Sequence, residues 1–95
     1  MLVKLGRYNM AKKQVKTKEE IRKQFLRHVR TCVKYWSEQP NMSDKEKCAG
    51  TAFSILVGID GEAGDMNGFA LRQFDDEGEV EGEDIAGCLH EELDM

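Results

Sequence analysis

Ser43-Asp44-Lys45-Glu46-Lys47-Cys48-Ala49-Gly50-Thr51-Ala52-Phe53-Ser54-Ile55-Leu56-Val57-Gly58-Ile59-Asp60-Gly61 is the stretch on which the fold turns. It opens as a capping box: a serine followed three residues later by glutamate lets hydroxyl and carboxylate each take an orphan amide of a first helical turn. Asp44 and Glu46 also suit the positive end of a helix dipole. Gly61, after Asp60, is placed to terminate the helix in a left-handed conformation. Between these signals residues 48–59 carry no charge. On a helical repeat Cys48, Ala52, Ile55 and Ile59 share a face with Ala49, Phe53 and Leu56, while Gly50, Ser54 and Gly58 recur every fourth residue on the other side. Small side chains there permit close approach of another backbone. Residues 53–59 taken alone also read as a strand, but the caps and the length favour a helix covered on both sides, at the centre of the fold.

Upstream, Thr17-Lys18-Glu19-Glu20 is a second capping box, and Ile21, Phe25, Val29, Cys32, Val33 and Trp36 follow at helical spacing until Pro40 stops the run. The expected helix covers about residues 18–38. Lys23, Arg27, Arg30 and Lys34 fall in a wedge of roughly 60° opposite its apolar face, forming one basic stripe. Before it, residues 1–16 form a basic arm without helical period. Met10-Ala11-Lys12-Lys13 has the form of a translation start, which would make residues 1–9 an upstream extension. The arm reads as disordered, or as a short edge strand over 2–8.

Downstream, residues 60–68 are rich in turn formers. Phe69-Ala70-Leu71-Arg72-Gln73-Phe74 reads as a strand with Phe69 and Leu71 on one face. Residues 79–83 are a return strand or, given their acids, a mobile loop. Ile85, Leu89 and Leu93 stand four apart and suggest a C-terminal helix over about 83–93, weakened by Gly87. The expected fold is therefore α+β: one small globular domain over 17–93, about three helices with a short strand or hairpin. Its expected core is Phe25, Val29, Trp36, Ala52, Phe53, Leu56, Ile59, Phe69, Leu71, Ile85 and Leu89.

Charge divides the chain. Residues 1–36 hold eleven bases against Glu19 and Glu20, and residues 49–95 hold thirteen acids against Arg72 alone, although the net charge is only −4. These halves either neutralise each other, within a chain or between copies, or face partners of opposite sign. With 95 residues, 40% of them apolar, the chain makes one domain with a small core. Three dispersed cysteines, Cys32, Cys48 and Cys88, fit free thiols in a reducing compartment. The N-terminal apolar residues do not make a secretory signal, and residues 48–59 are too few to span a bilayer, so the expected setting is cytoplasmic with no membrane contact.

Chemistry-bearing patterns are sparse. His28, Cys32, Cys88 and His90 supply four weak candidate zinc ligands, but no close-spaced cysteine knuckle accompanies them. The acidic loops fail the EF-hand pattern when either Gly68 or Gly78 is set at its glycine position. Cys88 and His90 are the nearest approach to a nucleophile with a base, without evident oxyanion donors, and Gly58-Ile59-Asp60-Gly61 follows a helix where a dinucleotide fingerprint follows a strand. The sequence points to no catalytic residue, no cofactor and no enzyme. A DNA-reading second helix is disfavoured by the uncharged 48–59 run. Phosphate contact by Lys12, Lys13, Lys16, Lys23, Arg27, Arg30 and Lys34 stays open, because it needs only placed cations.

Tyr35-Trp36 with Pro40, Glu46-Lys47, Ala52-Phe53-Ser54-Ile55-Leu56, Ile59-Asp60-Gly61 and Leu89-His90-Glu91 resemble a group of small uncharacterised bacterial and phage proteins, over about residues 35–91. The resemblance implies a small intracellular α+β domain and carries over no catalytic residue. The expected function is non-catalytic: an accessory protein that binds another protein or self-associates. The alternatives are a nucleic-acid-associated protein using the basic arm and stripe, and an acidic decoy or inhibitor acting through the C-terminal half.

Overall fold

The computed structural model describes residues 16–64 and 66–94, which hold three helices: α1 (Lys18–Ser37), α2 (Asp44–Ile59) and α3 (Leu89–Glu92). The basic arm up to residue 15, with Lys12 and Lys13, lies outside the described residues. Both capping boxes form. Thr17 Oγ1 accepts from the Glu20 amide at 3.1 Å while Glu20 Oε1 takes the Thr17 amide at 2.9 Å. Ser43 and Glu46 do the same at 3.1 and 2.8 Å. Each box satisfies two amides that a helix start leaves without internal partners. Asn41, at φ 60, turns the chain between the two helices.

Helices α1 and α2 form an antiparallel hairpin whose seam is the small-residue stripe. Trp36 lies over Gly50 and His28 lies over Gly58, so closely that a β-carbon at either glycine would overlap the ring. Ser54, midway, is held twice: its hydroxyl accepts from Trp36 Nε1–H at 2.9 Å, and its carbonyl accepts from His28 Nε2–H at 2.9 Å. The stripe thus admits two rings of the neighbouring helix, where the sequence suggested a neighbouring backbone. Met66 folds back over Gly58 as well and is buried.

At its C-terminal end α2 closes through Asp60 N–H to Leu56 O at 2.8 Å, and Gly61 takes φ 89, the left-handed geometry foreseen for it. The backbones of Gly61 and Gly68 then pass too close for a side chain on Gly68. This contact brings Phe69 under the hairpin, with its amide on Ile59 O at 2.9 Å and its ring edge-on to Phe25 at 5.2 Å.

The α+β expectation is overturned. Among the described residues there is no strand and no sheet, only an isolated antiparallel bridge between Phe74 and Val80. The reason lies in where the amides go. Phe69 N–H is taken by the end of α2, and Leu71 N–H by the Asp84 carboxylate at 2.8 Å, so the donors that a strand would offer a neighbour are already used. Beyond them Gln73 O accepts from both Glu81 and Gly82, at 3.0 and 3.1 Å, which breaks the ladder's register, so that only the single bond from Ile85 N–H to Leu71 O at 2.9 Å follows. The C-terminal helix is also shorter than the 83–93 expected. Gly87 sits at φ 124, and Asp84 Oδ1 holds the Ala86 amide in a turn at 3.0 Å, so helix begins only at Leu89.

Burial is shallow. Among the described apolar residues other than glycine only Cys32 and Met66 are buried, and no apolar residue is fully buried. Of the expected core, Phe53, Leu71 and Ile85 are exposed and the remainder are half-buried.

Candidate functional site

Four features bear on function, and each follows from the hairpin. The first is the basic stripe. Lys23, Arg27, Arg30 and Lys34 are all exposed along α1, as the spacing requires, and Lys16 stands half-exposed just before the helix. Lys34 pairs with Glu38 at 2.8 Å, and the hydrogen bond and charge of that carboxylate raise its pKa. Among the described residues no lysine or arginine of α1 pairs with a carboxylate beyond Glu38. Arg72, the lone base of the acidic half, spends its guanidinium on the carbonyls of Gly82 and Glu81, at 2.6 and 3.1 Å. Within the described chain the opposed charges therefore do not meet as ion pairs.

The second feature divides the candidate metal ligands. His28 and Cys32, one turn apart on α1, are in contact, with Sγ 3.5 Å from Nε2 and 3.9 Å from Nδ1. Since the Ser54 carbonyl can only accept, Nε2 carries the proton and its lone pair is not free for a metal. Burial pushes the Cys32 thiol pKa up, against a smaller backbone hydrogen-bond effect, so the reactive thiolate is disfavoured. Cys88 is exposed, and His90 is committed elsewhere. Among the described residues no group of three or more histidine, cysteine or acidic side chains is arranged to hold a metal ion.

The third feature was not legible beforehand. Asp60, the C-cap of α2, has a side chain with 0% exposure, and His90 is 8% exposed. The Asp60 carboxylate accepts from His90 Nδ1–H at 2.6 Å, from the His90 amide at 2.8 Å and from the Gly87 amide at 2.6 Å. Burial by itself would raise the Asp60 pKa, but these bonds, with one from Leu89, outweigh it and bring the group down to about 2. The hydrogen bond to Asp60 raises the His90 pKa, burial opposes this, and Glu62, Asp60 and Glu91 add to the rise. His90 Nε2 faces Glu62 Oε1 at 3.5 Å, and its ring packs edge-on to Phe53 at 5.5 Å. The pair ties the C-terminal segment to the end of α2.

The fourth feature is open apolar surface. One groove, of about 650 Å³, runs between the helices over Val33, Cys48, Ala52 and Ile55. Another, of about 400 Å³, lies between the start of α1 and residues 69–71. Its floor is Ile21, Phe25, Ile59, Phe69 and Leu71, and its charged lining residues are Lys18 and Arg22. Beyond that groove the 73–82 turn stands out with Phe74 64% and Val80 56% exposed. Among the described residues no helix is long and apolar enough to cross a membrane.

Comparison of the chain with protein-family models, curated proteins and solved structures gives no match. The functional reading therefore rests on the geometry above.

Proposed function

We propose that this chain is a non-catalytic binding protein that works by covering apolar surface with another polypeptide, a second copy of itself included. The observation that carries the reading is the ratio of exposed to buried apolar side chains. Ile21, Leu26, Val33, Phe53, Leu71, Phe74, Val80 and Ile85 are all exposed, against two buried apolar side chains among the described residues. Each such side chain covered on association is favourable at about 25 cal/mol per Å² of apolar surface removed from water, and contiguous open grooves are a mark of interaction sites. The non-catalytic part is supported by the chemistry. His90 turns its second nitrogen toward the Glu62 carboxylate, and the Cys32 thiol is buried with a raised pKa.

The test is affinity capture on immobilised protein, comparing the natural chain with a Val33→Glu/Ile55→Glu variant shown by circular dichroism to remain helical. The reading expects polypeptides held by the natural chain to be lost by the variant. Equal retention, or none by either in the presence of added free chain, would contradict it.

A second reading, nucleic-acid association, is favoured by one observation: Lys23, Arg27 and Arg30 are exposed and form no ion pair with a carboxylate of the described chain. It expects DNA or RNA retardation at low salt that falls steeply as salt rises. No retardation at low salt disposes of it.

A further inference from the structure

We propose that the 73–82 hairpin of one copy seats in the groove rimmed by Lys18 and Arg22 on a second copy, and that reciprocal exchange of the two hairpins makes a two-fold pair. The inference rests on the binding reading above and names the partner. It begins from two surfaces that match each other and are both open. The groove has an apolar floor of Ile21, Phe25, Phe69 and Leu71, and the charged side chains that line it are basic. Neither Lys18 nor Arg22 forms an ion pair within the described chain.

The hairpin is the complementary object. Phe74 and Val80 oppose each other across the single bridge, so their side chains lie on one face of it, and both are more than half exposed. Around them residues 74–85 carry seven acids and no base. An apolar pair fringed by carboxylates fits an apolar floor fringed by cations, and opposite potentials across an interface favour encounter and fix register. The polar side of the hairpin is held by its own chain, through Arg72 on the Gly82 and Glu81 carbonyls and Asp75 on the Glu77 and Glu79 amides, but its apolar pair has no cover. An isolated two-stranded hairpin is marginal in water at best, and this one has one bridge and acids along both arms. Docking supplies the apolar cover that its own chain does not, and counter-charge beyond that of Arg72.

A second copy is favoured over a foreign partner because each chain carries both halves of the match. Two chains related by a two-fold axis satisfy two grooves and two hairpins at once, and closed two-fold pairs are the commonest homo-oligomers. The same step brings the opposed charge halves of the sequence together between chains, where the described residues leave them apart within one.

The experiment is a charge swap read by sedimentation equilibrium. One variant reverses the groove, Lys18→Glu/Arg22→Glu; the other reverses the hairpin tip, Glu77→Lys/Glu79→Lys. None of the four side chains makes a hydrogen bond that supports a helix or turn, and both variants are to be checked by circular dichroism for natural helicity before the masses are compared. The natural chain should dimerise, more weakly as salt rises. Each variant alone should lose on the order of tenfold or more in dimer affinity, since like charges then face each other. Mixed, the two variants should recover association, because each reversed groove meets a reversed hairpin and each natural groove a natural one. Variants that dimerise like the natural chain, or a mixture that shows no recovery, would overturn the pairing. A natural chain that stays monomeric would overturn it too. If that monomer binds duplex DNA in a manner lost with the groove reversal, the groove belongs to a polyphosphate partner. Failure of the broader binding reading is read separately, in the Val33→Glu/Ile55→Glu capture.

Discussion

Asp60 and His90, thirty residues apart in sequence, share a 2.6 Å hydrogen bond that closes the acidic half of the chain onto the end of α2. The pair makes stability depend on pH in a defined way. Asp60 titrates at about 2 when folded against 3.8 ordinarily, so its contribution is present above the ordinary value and is lost as pH falls through the lower one. The His90 pKa is raised above 6.5, so its contribution is complete below that value and is lost as pH rises through the raised one.

The urea midpoint should therefore be highest between the ordinary carboxylate value of 3.8 and the ordinary imidazole value of 6.5, and should decline on both sides. In His90→Gln the decline on the alkaline side should vanish. An alkaline limb that persists unchanged in that variant would remove His90 from the account.

The helix seam predicts a cost where a helix normally gains. Replacing a helical glycine by alanine is ordinarily favourable by about 1 kcal/mol. At Gly50 and Gly58 the new methyl would overlap the rings of Trp36 and His28. Overpacking of this kind costs about 1–3 kcal/mol. Gly50→Ala and Gly58→Ala should thus each destabilise the chain in urea denaturation, and a stabilised Gly50→Ala would mean that Trp36 does not lie over the stripe.

The thiols should differ in kind. Cys48 and Cys88 are exposed while Cys32 is buried beside His28, with its pKa raised mainly by burial. An aromatic disulfide reagent at neutral pH should titrate two thiols rapidly in the native protein and the third only on unfolding. Rapid reaction of all three would show α1 and α2 to be less tightly closed at this point.

What could be read beforehand was what local chemistry decides. Thr17 with Glu20, and Ser43 with Glu46, announce helix starts because each cap is made within four residues. Gly61 announces a stop for the same reason. The stripe Gly50, Ser54, Gly58 could be recognised as a packing face, but not its occupants. Trp36 reads as ordinary core and His28 as a metal candidate until the fold sets both against Ser54. The Asp60–His90 pair has no local signal at all, since neither residue's neighbours require the other. Residues 69–74 mislead for a related reason: alternation of Phe69 and Leu71 resembles a strand, but pattern alone does not say that Ile59 O and Asp84 take the amides.

The stripe retains its importance as charge that is mostly unpaired among the described residues. Lys23, Arg27, Arg30 and Lys34 lie where helical spacing puts them, and among the described residues only Lys34 meets a carboxylate, that of Glu38. The central claim is that the open apolar groove rimmed by Lys18 and Arg22 is completed by another chain. The most direct measurement is the mass of the natural protein by sedimentation equilibrium across a wide concentration range at low and high salt. The account predicts a low-salt mass that climbs with concentration toward twice the 10.8 kDa of one chain and falls back as salt is added. A mass that stays at one chain throughout would contradict it.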